Sequence, residues 1–150
     1  MRVTIAALAV LLCVPQAAAL DIRVGQMWQC SGSTPPFTLV YVIGAIDEMR
    51  DLRVSDTGLD EPARVVHIAL VGVAELPEAT VLKIDHLPMR GGTLTCSGQR
   101  FYGEGGVLPE GFVNQYHDWR KRISTTGSFV WHDRPVEKLA LERAKLEVPK

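Results

Sequence analysis

Basic residues are not in excess in this sequence: 16 lysines and arginines stand against 17 aspartates and glutamates, a net charge of −1 at neutral pH. A surface without a positive excess is poorly suited to neutralise a phosphate backbone, so no nucleic acid is expected as a partner. The same balance gives no attraction to an anionic membrane surface. The expected partner is therefore a protein or a small-molecule ligand.

The apolar run at the start of the chain is too short for a membrane anchor. It covers Val3–Val14, where a proline and a glutamine end it, whereas roughly 20 apolar residues are needed to cross a bilayer. A positive charge before this run and Ala17–Ala19 after it are typical of a signal peptide with an A-x-A cleavage site. We therefore expect residues 1–19 to be removed. The alternatives are an uncleaved anchor and a lipid-modified Cys13.

Cleavage leaves residues 20–150 as an exported protein, periplasmic or secreted, with no stable membrane insertion. A chain of about 130 residues is a normal length for a single domain. Cysteine is scarce in this part, with only Cys30 and Cys96, and neither stands in a C-x-x-C arrangement. In an oxidising compartment such a pair is expected to form one disulfide, the alternative being two free or redox-active thiols.

Strand patterns dominate the first two thirds of the exported chain. Phe37–Ile46 and Arg64–Val73 are apolar on both faces and rich in β-branched residues, which is typical of central strands. Turn-forming residues between them predict a long hairpin. Further strands are predicted at Val24–Cys30, Thr80–Leu87, Thr93–Cys96 and Ser128–Trp131. Thr80–Leu87 is interpreted as an edge strand that Pro88 ends.

Two helices are predicted to follow the strands. The first begins near Pro109, and its apolar residues recur at helical spacing, at Phe112, Tyr116, Trp119 and Ile123. The second begins after Asp133, with a weaker apolar stripe. The fold class expected is α+β: an antiparallel sheet of four to six strands with two C-terminal helices, the first packed on the sheet.

Signatures of catalysis are lacking. No G-x-S-x-G nucleophile elbow occurs, and the four histidines, 67, 86, 117 and 132, do not stand at the short spacings typical of zinc ligands. His67 alternates with Val65 and Ala69, while His86 alternates with Leu82 and Ile84. Each is therefore interpreted as a core or sheet-face histidine with one hydrogen-bond partner. No catalytic residue, metal ligand or cofactor is predicted.

One polar stretch stands out as a candidate for ligand binding. Asp85, His86 and Arg90 surround Pro88 where a strand is predicted to end in a loop, and binding groups concentrate on loops. The alternative is a strand that simply ends in a turn. With His67 and Trp119, these three residues form the predicted ligand-binding set.

Short motifs spread over most of the exported chain resemble those of small exported bacterial proteins with no established activity. They are Val24-Gly25-Gln26-Met27-Trp28, Val66-His67-Ile68, His86-Leu87-Pro88-Met89, Leu108-Pro109-Glu110-Gly111-Phe112 and Trp119-Arg120. The resemblance implies a shared surface on which His67, His86 and Trp119 converge. It implies nothing about a reaction.

The function expected from the sequence is that of a non-enzymatic binding or interaction module, because a disulfide-closed β core lacks any catalytic signature. An inhibitor or immunity-type protein has this kind of architecture. The alternative is a small periplasmic hydrolase or metal-binding protein that uses His67 or His86, with Asp85 beside the base.

Overall fold

The computed structural model describes residues 21–48, 64–76, 78–91, 94–126 and 131–147. The predicted leader lies outside these residues. The described part forms an antiparallel sheet in the order β4-β3-β2-β1-β5, followed by two helices. The elements are β1 (Met27–Ser33), β2 (Pro36–Glu48), β3 (Arg64–Glu75), β4 (Ala79–Arg90), β5 (Arg100–Gly103), α1 (Glu110–Thr126) and α2 (Val136–Glu147). The α+β fold expected from the sequence is confirmed.

The central strands β2 and β3 are the two segments that are apolar on both faces. They pair along nearly their whole length, because each can bury side chains on both sides of the sheet. On one face, α2 covers the main core. Its buried residues are Trp28, Cys30, Phe37, Leu39, Tyr41, Ile43, Val66, Ile68, Leu70, Ala74, Leu82, Ile84, Leu87, Met89, Leu94, Val136, Leu139, Ala140 and Ala144.

The disulfide fastens this face to the segment that leads towards α2. Cys30 of β1 is fully buried and is bonded to Cys96, as the sequence predicted. Beside Cys96, Ser97 donates its backbone N–H (3.2 Å) and its hydroxyl (2.9 Å) to the buried carboxylate of Glu137, in the first turn of α2. The backbone N–H of Val136 also donates to the carbonyl of Thr95. The covalent bond and these hydrogen bonds together fix α2 on the sheet.

Helix α1 packs on the opposite face of the sheet. Phe112, Trp119 and Ile123 are buried, so the predicted apolar stripe does face the sheet. The Phe112 ring lies over Gly44 of β2, where a Cβ would overlap the ring. Gly44 thereby allows α1 to approach the backbone of β2 closely, and any larger residue at position 44 would prevent this approach.

Two details of the predicted strands were wrong. Residues 94–96 are not a strand, and the short edge strand β5 follows them instead. Strand β4 does not end before Pro88 but continues to Arg90. The carbonyl of Pro88 accepts a hydrogen bond from the His132 N–H on the outer edge, so the missing proline N–H also faces outward and no bond to β3 is lost. Of the predicted strand Ser128–Trp131, residues 128–130 lie outside the described residues.

Replacing both disulfide cysteines by alanine is expected to lower the free energy of unfolding by about 4 kcal/mol, because the bond closes a long loop in the unfolded chain. The two cysteines are 66 residues apart. Urea unfolding of the oxidised protein and of the double variant measures the difference. A loss below about 1 kcal/mol would contradict the stabilising role.

The Gly44→Ala substitution is expected to destabilise the protein by about 1–3 kcal/mol, because the new methyl group overlaps the Phe112 ring. The matched background is Phe112→Leu, which removes the ring. In that background the cost of Gly44→Ala should fall by about 1 kcal/mol or more, as measured by a double-mutant cycle in urea. Equal costs in both backgrounds would mean that the ring is not the obstacle.

Candidate functional site

Two histidines meet on the face of the sheet that α1 covers. His67 of β3 is fully buried, and its Nδ1 lies 2.9 Å from Nε2 of His86 on β4. The ring planes are nearly parallel, at 8°, and the rings meet edge to edge with their centroids 5.1 Å apart. One ring nitrogen must donate and the other accept, so the pair shares a single proton in this contact. The structure thus brings together two of the residues that the sequence predicted for ligand binding.

Asp47 of β2 connects this pair to helix α1. Its Oδ2 lies 3.1 Å from Nε2 of His67, at an angle too poor for a linear hydrogen bond, so the contact is mainly electrostatic. Tyr116 donates its hydroxyl to Oδ2 at 3.0 Å, and Arg120 donates Nη1 to Oδ1 at 2.8 Å. The carboxylate of Asp47 therefore receives contacts from both the sheet and the helix.

Aromatic rings of α1 cover the histidines. Trp119 and Tyr116 contact His67 edge to face, with centroids 4.4 and 4.8 Å away, and Phe112 contacts His86 at 5.4 Å. His86 is only 9% exposed. We call Asp47, His67, His86, Tyr116, Trp119 and Arg120 the histidine cluster.

Two irregularities of the sheet create the histidine cluster. In β4 one extra residue lies between the pairs Leu70↔Ile84 and Ile68↔Leu87, and it turns His86 onto the face of His67. In β2 Gly44 is the extra residue, and it turns Asp47 onto the same face. The expectation that His86 alternates with Leu82 and Ile84 was therefore wrong, because a β-bulge breaks the period of two.

The environment determines the charges of Asp47 and His86. Burial raises the pKa of the Asp47 carboxyl, but contacts from His67 and Tyr116 and the charge of Arg120 outweigh burial and hold this pKa below its usual value. Burial, with the charge of His67 as a smaller cause, lowers the pKa of His86 to about 4. At neutral pH the Asp47 carboxylate is therefore ionised beside the Arg120 guanidinium, and His86 is uncharged.

An open cavity adjoins the histidine cluster on the same face of the sheet. Its volume is about 350 Å³, and we call it the apolar cleft. The loop that leads into α1, at Val107–Pro109, forms one wall, and the sheet forms the floor. The lining residues are Met27, Val40, Val42, Ala69, Leu70, Val71, Lys83, Asp85, Val107, Leu108 and Pro109.

The charged groups of the apolar cleft compensate one another. Lys83 Nζ lies 3.4 Å from Asp85 Oδ1, so the two lining charges form an ion pair. The Asp85 carboxylate also lies against the first turn of α1, where a Cβ at Gly111 would overlap it. A helix N-terminus favours a nearby negative charge. The cleft thus presents aliphatic side chains and no net charge.

Of the other predicted site residues, Trp119 contacts His67, whereas Asp85 and Arg90 contact groups outside the histidine cluster. Asp85 faces the apolar cleft and the start of α1, while the Arg90 guanidinium lies over the Trp131 ring at 5.6 Å. Asp47, Tyr116 and Arg120 were not predicted for the site. The spacing of four between Tyr116 and Arg120 places both on one side of a helix, and this was the available signal.

The described residues contain no metal-binding group and no membrane-spanning helix, and the chain has no match among known proteins. Among the described residues, no group of three or more His, Cys, Asp or Glu could hold a metal ion. Neither is there, within the described part, a helix with the length and apolar character to cross a membrane. The chain matches no protein-family model, no curated protein and no solved structure. The resemblance to small exported bacterial proteins stays a prediction.

The free energy of unfolding is expected to fall as the pH drops from 6.5 to about 4, because the unfolded chain then protonates His86 while the folded protein does not. The full loss is at most roughly 3 kcal/mol. Asp47 adds to this loss of stability only below about pH 3.8, the ordinary pKa of its carboxyl. Because the pKa is lower in the folded protein, protonation there favours the unfolded chain. Urea unfolding at several pH values measures the slope.

Substituting His86→Gln should reduce this slope, since glutamine does not titrate. His117→Gln, on the exposed side of α1, is the matched control and should keep the wild-type slope. A residual slope is expected from His132, whose pKa is lowered by burial and then by Arg134. An unchanged slope in the His86 variant would show that His86 is not the titrating group.

Proposed function

We propose that this protein is a non-enzymatic binding module that holds a small, uncharged, apolar molecule in the apolar cleft. The observation that carries the proposal is a cavity of about 350 Å³ whose floor and walls are aliphatic. Ligand sites are typically concave and apolar, with volumes of about 300–1,000 Å³. A cleft of this size suits a molecule of one or two rings or a short acyl chain.

Charge complementarity favours an uncharged ligand. The two charged lining residues, Lys83 and Asp85, neutralise each other, so a charged ligand would gain no partner without breaking their ion pair. Valines around the cleft remain exposed: Val71 is 56% exposed and Val107 87%. Covering such apolar surface stabilises a complex by roughly 25 cal/mol per Å² removed from water.

Export is part of the proposal. The two cysteines that remain after the predicted cleavage form a disulfide, and such bonds persist in oxidising compartments. A binding module of this kind in the periplasm or outside the cell meets free apolar molecules there. The inhibitor or immunity-type function suggested by the architecture is a special case, in which the bound group belongs to another protein.

Hydrolysis is the second candidate, and the chain of contacts from Asp47 through His67 to His86 favours it. A carboxylate that orients a histidine is the usual arrangement around a general base. However, a base with a pKa of about 4 is far from the neutral range in which proton transfer is most efficient. The rings of Phe112, Tyr116 and Trp119 also cover the pair. Binding is therefore the function that the geometry supports best.

The proposal is tested with N-phenyl-1-naphthylamine, an uncharged two-ring dye whose fluorescence rises in apolar sites. The wild-type protein should bind it saturably at neutral pH. Val71→Asp should weaken binding by about tenfold or more, because it places a carboxylate in the apolar cleft. Val113→Asp is the matched control, because Val113 is a similarly exposed valine on α1 that does not line the cleft.

Equal dye affinity in wild type and Val71→Asp would overturn the cleft as the site. Sedimentation velocity tests whether a second copy of the chain, rather than a small molecule, covers this face. A wild-type dimer that Val71→Asp converts to monomer would mean that a second copy of the chain covers the valines, and the small-molecule proposal would then be rejected.

A further inference from the structure

Helix α1 is attached to the sheet independently of the main core. The core under α2 contains none of the buried α1 residues Phe112, Trp119 and Ile123. These side chains pack on the opposite face, beside the histidine cluster. Loss of α1 from its face would therefore leave intact the core that the disulfide and α2 stabilise.

The contact between His67 and His86 has a limited capacity for protons. At 2.9 Å the two nitrogens can share one hydrogen, and this holds when the pair carries no charge or one added proton. If both rings are charged, two N–H groups point at each other and the contact cannot persist. Full protonation must therefore separate the rings.

Each element packed around the pair contributes a charged or titratable group. Asp47 faces it from β2, Asp85 adjoins it on β4, and Tyr116 and Arg120 face it from α1. Asp47 already contacts the Arg120 guanidinium at 2.8 Å. Added protons on the histidines thus place further positive charge beside the contact between Asp47 and Arg120. Protonation of Asp47 removes the negative charge that joins the helix to the sheet.

The loop that leads into α1 forms a wall of the apolar cleft. Leu108 and Pro109 line the cleft and lead directly into α1, and Gly111 in its first turn lies against Asp85. Because the loop and the helix are continuous, α1 cannot leave the sheet without opening the cleft.

We propose that α1 is an acid-sensitive switch: protonation of the His67–His86 pair detaches the helix from the sheet and releases the molecule held in the apolar cleft. The release of a ligand rests on the function proposed above, whereas the detachment of the helix does not.

The test measures both events on the full chain at pH 7.5 and about pH 4.5. Affinity for N-phenyl-1-naphthylamine, which is uncharged over this range, reports the cleft. Hydrogen exchange of α1 amides, corrected for the intrinsic effect of pH and compared with β2 and β3, reports the helix. We expect the affinity and the protection of α1 each to fall by about tenfold or more on acidification, while β2 and β3 stay protected.

Two variants and a control test the assignment to the cluster. His86→Gln should show a smaller fall in both measurements, because one titrating ring is absent. The Arg120→Gln variant is expected to fold, because the Arg120 side chain is 45% exposed. In this variant the helix should detach at a higher pH, because the contact between Arg120 and Asp47 is lost. His117→Gln should behave as wild type.

The outcomes separate the two proposals. If the dye binds at pH 7.5 but α1 stays protected at about pH 4.5, the switch is overturned and the binding function stands. If no dye binds at pH 7.5 but α1 loses protection, the switch stands and the binding function fails. Simultaneous loss of protection in α1, β2 and β3 would indicate global unfolding and would overturn the switch.

Discussion

The carboxylate of Asp47, buried between the sheet and α1, is the contact on which the candidate site depends. It meets His67 on the sheet and both Tyr116 and Arg120 on the helix, so its negative charge is shared by three groups from two elements, β3 and α1. A buried charge that lost these partners would be strongly destabilising. Because the partners come from both sides, the position of α1 and the ionisation of Asp47 are coupled. The aromatic contacts over the histidines follow from that position.

Most of the fold could be predicted from the sequence because its signals are local. Apolar runs marked β2 and β3, and the stripe ending at Ile123 identified α1 and its buried face. The disulfide followed from a count of cysteines in a chain that was expected to be exported. Pro88 was misleading because a proline harms a strand only where its missing N–H faces a neighbour, and here it faces the outer edge.

The site could be predicted only in part, because it depends on interruptions of the regular pattern. A period of two assigns His86 to the face of Ile84, and it likewise assigns Asp47 to the face opposite His67. One extra residue in each of β4 and β2 reverses both assignments. Neither bulge has a reliable local signal: Gly44 resembles any glycine in a strand, and its role appears only when the Phe112 ring of a distant helix lies over it. His67 was identified correctly as a sheet residue, and its convergence with His86 and Trp119 was expected only from the resemblance to other proteins. Its contacts with Asp47 and Tyr116 were not predicted.

The two faces of the sheet are held by different interactions, and the proposed binding site lies on the α1 face. Under α2, a continuous apolar core and a disulfide fix the packing, and apolar contacts do not change with pH. Under α1, a smaller apolar contact is combined with titratable groups and an open cleft. Regions that open locally are those with fewer buried apolar contacts, and binding elements are drawn from them. A ligand in the cleft would contact the loop that leads into α1, so its binding energy would add to the stability of α1 on the sheet.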